Sequence, residues 1–442
     1  LRAHYYFELS RLFNKIPYFD ENVEISQYPD IPNNEFTRDE ILSMLAKEML
    51  DAAEQLPASQ PEVGRIHKYI ALAYAAKIKL YQAYQQDEIT HAVTSINKEL
   101  LREVVSLCDQ VTASNRYGLL DDFQGLDLVT NENGKESVFA IQYSMNDGTE
   151  SAGRINWSNL LNSPGGGSPY GGDGFFLPSQ DLINAYQTDA NGLPDFNYQS
   201  KSDYSWAVLN NGVYTLQNTT PNVDPRLDFV VGRPTITWKT YPDKPCEGWV
   251  RDKDTYGYNC AKRFWVSPES SDMFNGWPWG ASQLNWQIIR YADILLWKAE
   301  ALIELNEGNG LETARDLINQ IRNRARNSAY VKDFNDHSKY AANYLVNPYP
   351  ADVWNQDYAR QALRWETRLE KALEGERFFD LVRWGIVETT MNKYITAESD
   401  NRIYYANAHF TGGKDEYYPV PNNQYGFSGG KYVQNPGYAP FN

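Results

Sequence analysis

Cysteine is scarce, with three in 442 residues, which excludes a disulfide-stapled scaffold and leaves the fold to packed side chains. Cys108 stands alone, while Cys246 and Cys260 could close a short loop in an oxidising compartment or remain two thiols. The five histidines, His4, His67, His91, His337 and His409, show no His-Glu-x-x-His spacing, so a catalytic zinc is not expected. No apolar run approaches the ~18 to 20 residues that a membrane-spanning helix needs. The chain also starts without a charged-then-apolar leader; Leu1-Arg2-Ala3-His4-Tyr5-Tyr6-Phe7 reads as the middle of a helix, with something missing upstream. Clusters of Lys and Arg are absent and the net charge is −16. Such a chain repels phosphate backbones and anionic lipid surfaces, which excludes nucleic acid.

What is there is an ordinary globular mixture, 42% hydrophobic and 22% charged, long enough for roughly two to four units of ~150 residues. Thr37-Arg38-Asp39-Glu40 has the spacing of a capping box, followed by Ile41, Leu45, Met49, Ala52 and Leu56 at helical intervals and ended by Pro57. A second run carries Tyr69, Ile70, Ala73, Ala76, Leu80 and Ala83, whose alanines allow close packing. Residues 97–115 predict another helix, and the alternation over 137–143 a short strand. Helical spacing returns at Ala292, Leu295, Leu296, Ala299, Leu302 and Ile303, then turns at Glu307-Gly308-Asn309-Gly310 into Ala314, Leu317, Ile318, Ile321 and Ala325, a helical hairpin. Helices over 359–374 and 376–392 precede a tail rich in Gly, Tyr and Pro. The expected units are helical residues 1–144, an irregular insert over 145–283, helical residues 284–392 and a loop-rich tail over 393–442 that packs on the helices.

The insert has its own composition. Between Gly148 and Gly280 lie 15 of the 29 glycines, and between Trp157 and Trp279 seven of the 12 tryptophans. Flat rings on irregular segments, with amides, carboxylates and guanidinium groups beside them, offer stacking faces and hydrogen-bonding partners to a ligand. The candidate binding residues are therefore Trp206, the first choice, with Asp203, Tyr204 and Asn210; Trp238 and Trp249; Trp277 and Trp279; and Trp157 with Arg154. Trp286, Trp297, Trp365 and Trp384 fall in helical patterns and are assigned to the core. The glycine-rich stretch 165–174 lacks the Lys-Ser/Thr close of a phosphate loop and reads as a surface loop. No Gly-x-Ser-x-Gly elbow and no EF-hand pattern occurs, so no catalytic residue and no cofactor is assigned. A structural Ca²⁺ at Asp121-Asp122, or at Asp224 with Asp228, stays open.

The stretch RLEKALEGERFFDLVRWG, residues 368–385, sets charges among aromatics. Glu374, Arg377, Asp380 and Arg383 recur every third residue with alternating sign, so on one helix each would neighbour the next. Buried charges of this kind must be paired, since breaking one buried pair costs about 3 to 5 kcal/mol. The alternative, Glu370 and Glu374 as general acid and base, lacks two elements facing each other across a cleft; scaffold is the reading taken.

This stretch, with Glu366, Arg368-Leu369-Glu370, Glu374-Gly375, Arg377, Asp380-Leu381 and Arg383-Trp384-Gly385, resembles a signature of the SusD/RagB family. Asp224-Pro225-Arg226-Leu227, Arg290-Tyr291-Ala292-Asp293, Ile318-Asn319 with Ile321-Arg322, and Gln434-Asn435-Pro436-Gly437-Tyr438 agree in order and spacing. Lys371 stands where the family often has an apolar residue, so the ion pairs there are expected to be rewired. The resemblance implies a mainly α fold, a tetratricopeptide-like platform of helix pairs with a large loop-rich insert. It further implies a non-enzymatic, cell-surface glycan-binding protein of the outer membrane, held by a lipid anchor upstream of this chain, that passes its cargo to a SusC-like TonB-dependent transporter. Two rivals remain at this stage: a glycoside hydrolase on a helical scaffold, and a helical-repeat scaffold for peptide or protein.

Overall fold

The computed structural model describes residues 1–441 apart from 151–152, 158–161, 163–167, 169, 172, 206, 211–212, 217–220, 240–247, 268–269 and 277–279. Four long helices come first: α1 (Arg2–Phe13), α2 (Arg38–Gln55), α3 (Lys68–Ala83) and α4 (Lys98–Ala113). The capping box forms as the sequence predicts. Thr37 Oγ1 accepts the Glu40 N–H at 3.3 Å while the Glu40 carboxylate accepts the Thr37 N–H at 2.8 Å, satisfying donors that a helix start otherwise leaves open. Thr37→Ala is expected to cost ~1 kcal/mol of stability, read from the urea midpoint at unchanged slope. The alanines of α3 let α2 and α4 pack against opposite sides of it, so that nearly the whole helix is buried.

Three short helices follow, α5 (Gln180–Ala185), α6 (Arg226–Val230) and α7 (Lys253–Tyr256), and then the second long set: α8 (Tyr291–Leu305), α9 (Gly310–Asn327), α10 (Gln356–Glu370), α11 (Arg377–Arg383) and α12 (Val387–Glu398), with α13 (Asn422–Phe427) in the tail. Helix α8 packs on α4 as well as on α9 and α10, so the two helical parts share one core. Four antiparallel strand pairs are described: β1 (Tyr84–Gln86) with β2 (Val93–Ile96), β3 (Ser137–Ile141) with β8 (Trp286–Arg290), β4 (Ala207–Asn210) with β5 (Val213–Leu216), and β6 (Val231–Gly232) with β7 (Cys260–Ala261). The β3–β8 pair ties together the two ends of the irregular segment, which leaves the helical layer and returns to it at one place. Trp286, assigned above to a helix, starts β8 instead.

The helix expected over 376–392 is two helices. Gly385 between them has φ +67°, and a Cβ there would come within 2.8 Å of Val93 Cγ2; the left-handed turn and the close approach of β2 both demand glycine. The charge ladder also differs from expectation. Lys371 caps α10 and Glu374 lies in the turn beyond it, so their partners come largely from elsewhere in the chain. Glu374 accepts from Arg290 at 2.8 Å and from Arg263 at 3.1 Å. Lys371 reaches Asp293 at 2.8 Å and Glu374 at 2.6 Å. Of the ladder Glu374, Arg377, Asp380 and Arg383, only the last two, 2.9 Å apart, form the pair that i,i+3 spacing predicts.

These charges belong to a buried network. Glu366 binds Arg226 at 2.5 Å and Arg322 at 3.0 Å; Glu370 binds Arg324, Arg290 at 3.1 Å and Arg226 at 3.3 Å; Glu136 binds Arg290 at 2.7 Å and Arg324 at 3.1 Å. Asp224 chelates Arg226, and Asp228 chelates Arg233 at 2.8 Å through both oxygens. That corrects the open Ca²⁺ alternative at Asp224 and Asp228, whose oxygens are taken by guanidinium groups. Asp121 pairs with Lys135 at 2.9 Å.

Candidate functional site

The sequence candidates separate into three groups. Trp238 and Trp249 are core residues, 1% and 4% exposed, packed ring to ring at 5.5 Å within a cluster that includes Tyr170, Cys260 and Trp265. They are not platforms, a correction with a simple cause: an irregular region of this size needs a core of its own, and tryptophan fills it best. Trp206, Trp277 and Trp279 lie outside the described residues, as does the Asn210 side chain, although Asn210 itself ends β4. Cys246 also lies outside them. Asp203, Tyr204, Trp157 and Arg154 are described. Trp157 is exposed, and Arg154 pairs with Asp147 at 3.2 Å.

Asp203 and Tyr204 line a cleft of about 360 Å³ between the segment leading into β4, the end of α7 and the turn after α12. Ser205 and Ala207, on either side of position 206, line it as well. The polar groups are held from behind. Asp203 Oδ1 accepts from Asn184 Nδ2 at 2.8 Å and Oδ2 from Asn401 Nδ2 at 3.3 Å. Asn184 Oδ1 in turn accepts the Tyr204 N–H at 2.8 Å and Gln180 Nε2 at 2.9 Å. Serine at position 179 caps α5 through the Leu182 N–H, which fixes Gln180 and Asn184 on one helical face. The Tyr204 ring itself is buried, 5.6 Å below the Arg233 guanidinium, so this residue serves the cleft through its backbone rather than as a platform.

On the opposite wall, Arg402 passes over Gly257. The glycine has φ +75°, which a side chain rarely adopts, and a Cβ there would meet Arg402 Nη2 at 2.4 Å and displace the guanidinium. Asn259 adds a buried amide whose Oδ1 has no hydrogen-bond partner among the described residues. A buried acceptor left unmade costs about 1 to 3 kcal/mol, and a hydroxyl entering the cleft would satisfy it.

Beside these polar groups stand rings that the sequence reading passed over. Tyr256, preceding Gly257, and Tyr404, two residues beyond Arg402, are 44% and 51% exposed, with centroids 5.9 Å apart. Tyr405 follows at 4.6 Å from Tyr404 and shares a 3.1 Å hydroxyl contact with Tyr394. The run Arg402-Ile403-Tyr404-Tyr405 in a loop-rich tail was the available signal. The arrangement offers a carboxylate acceptor, amides and a guanidinium donor around one opening, with two exposed rings within two residues of its lining. By contrast, Glu370 and Glu374 are buried among arginines away from it.

The SusD family model matches residues 135–438. The chain belongs to the SusD family. It is 24% identical, over 99% of its length and 72% of the relative's, to "SusD-like protein P2" of Formosa agariphila. A SusD superfamily structure from Bacteroides vulgatus superposes with a TM-score of 0.67 at 20% identity, covering 99% of this chain and 76% of that one. Surface glycan-binding protein A from Bacteroides thetaiotaomicron, solved in complex with laminarihexaose, does so with 0.63 at 17% identity, over 98% and 76%. The mainly helical SusD fold inferred from the signature is thus the fold of this chain.

Proposed function

We propose that this SusD-family chain captures oligosaccharide at the cell surface, in the cleft between Asp203 and Arg402, and releases it intact. The single observation that carries the reading is a cleft lined by Asp203, Asn259, Asn401 and Arg402, polar groups that match the rim of a sugar ring, with the exposed Tyr256–Tyr404 pair within two residues of its lining. A relative of the same fold binds laminarihexaose, which supports a glucan among the first ligands to try. Placement at the outer membrane by a lipid anchor, and delivery to a SusC-like TonB-dependent transporter, complete the proposal. Among the described residues no helix is long and apolar enough to cross a membrane, so attachment through an anchor is consistent with it.

Capture followed by release calls for moderate affinity, between about 1 µM and 1 mM, or roughly −8 to −4 kcal/mol. Calorimetry against a panel of soluble polysaccharides is expected to find a ligand in that range, with no increase in reducing ends over a day's incubation. A panel without any binder refutes the proposal; new reducing ends favour the hydrolase.

A further inference from the structure

A second cavity, of about 520 Å³, shares no lining residue with the cleft and lies between the β1–β2 hairpin, the turn from α11 to α12 and the loop before α13. Its acidic side is organised by two consecutive backbone amides. Gly412 N–H donates to Glu388 Oε1 and Gly413 N–H to Glu416 Oε1, each at 3.1 Å. A Cβ on Gly412 would fall 2.7 Å from the Glu388 carboxylate, so glycine is what lets that carboxylate lie on the loop. Glu416 is 6% exposed, and its Oε2 has no hydrogen-bond partner among the described residues. A carboxylate buried with one oxygen unmade asks for a donor, and most of all for a cation.

The rest of the lining says what kind. Ile89 is exposed at the rim while Val382 and Val387 are buried, so an apolar wall runs inward beside Glu388 and Glu416. Among the described residues no Tyr, Trp or Phe lines the cavity, which leaves a sugar ring without a platform. An aliphatic stem ending in a cationic head fits both halves. Nearby positive charge is already engaged or absent: Lys414 pairs with Asp415 at 3.3 Å. His91 stays neutral near pH 7, because burial, then the Arg38 charge, pushes it down to about 4 against the opposing pull of Asp87. A second copy of this chain is disfavoured as occupant by the net charge of −16.

We infer that this cavity is a docking socket for a lysine side chain on a partner protein, with the ammonium held between Glu388 and Glu416. The test uses the ¹⁵N-labelled chain and follows the Gly412 and Gly413 amide signals. Acetyl-Gly-Lys-Gly-amide is expected to shift both saturably, acetyl-Gly-norleucine-Gly-amide not to, and Glu388→Gln and Glu416→Gln each to weaken the lysine peptide at least tenfold. Glu388 is exposed, so its variant keeps the test sound even where Glu416→Gln fails to fold. Absence of a saturable shift, an equal response to norleucine, or unchanged affinity in the Glu388 variant overturns the inference. So does glucosamine binding more tightly than the lysine peptide, which would make the occupant an amino sugar.

Discussion

Glu370→Gln lowers the stability of the fold by about 3 to 5 kcal/mol, the largest effect expected of any conservative single substitution here. Glutamine keeps the volume, so no cavity opens; what is lost is the charge. The two oxygens of Glu370 face Arg324, Arg290 and Arg226, all buried. Burial pushes the Glu370 carboxyl up, yet those three guanidinium groups outweigh it and hold it below the usual range. Removing the charge leaves buried arginines short of counterions where water cannot replace them. Asp51→Asn, which dissolves the exposed Lys47–Asp51 pair of 2.6 Å, is the control and is expected to change stability by less than ~0.5 kcal/mol. Equal urea midpoints for the two variants would remove the network from the account of stability.

The same network sets the acid limit. Asp127, Asp224, Glu300 and Glu374 also sit below their ordinary values because arginine or lysine partners outweigh burial, and Glu376 is brought down to about 2 by Lys77 and Arg11 against the opposing effect of burial. A carboxyl lowered in the folded state takes up its proton later than in the unfolded chain. Its stabilisation is therefore complete above the unfolded value of about 4 and drains away as pH falls toward the folded one. Among the described residues five carboxyls run the other way: burial raises Glu132 to about 7 and also lifts Asp39, Asp380, Glu398 and Glu416.

How much of this was legible in the residues follows from what each pattern encodes. Spacing encodes burial on one face, and so α2, α3, α8 and α9 were readable, as was the capping box at Thr37. It does not encode which distant element arrives on that face. Glu374 looked like the neighbour of Arg377 and is the partner of Arg290, 84 positions away. The break at Gly385 depends on the approach of Val93, equally invisible along the chain. For the site, Asp203 and Tyr204 were found because carboxylate, amide and ring cluster there in sequence. Tyr256, Arg402 and Tyr404 were missed because they meet only after α12 brings the tail back to the insert. Counting tryptophans led, at Trp238 and Trp249, to the core of the insert.

That distinction yields the last expected result. Tyr404→Ala and Tyr256→Ala each weaken glycan binding about tenfold, equivalent to ~1.4 kcal/mol, with stability unchanged within ~0.5 kcal/mol because both rings are largely exposed. The double variant loses less than the product of the two, since rings 5.9 Å apart share one ligand face. Trp238→Ala does the opposite. Deleting a ring that touches Tyr170 at 5.2 Å and Trp249 at 5.5 Å in a closed cluster costs about 3 to 5 kcal/mol of stability, while affinity measured on the folded fraction falls less than threefold. Calorimetry and urea titration on the same preparations separate the two behaviours. Were Trp238→Ala to abolish binding at full stability, with the tyrosine variants unaffected, the cleft between Asp203 and Arg402 would not be where the sugar lies.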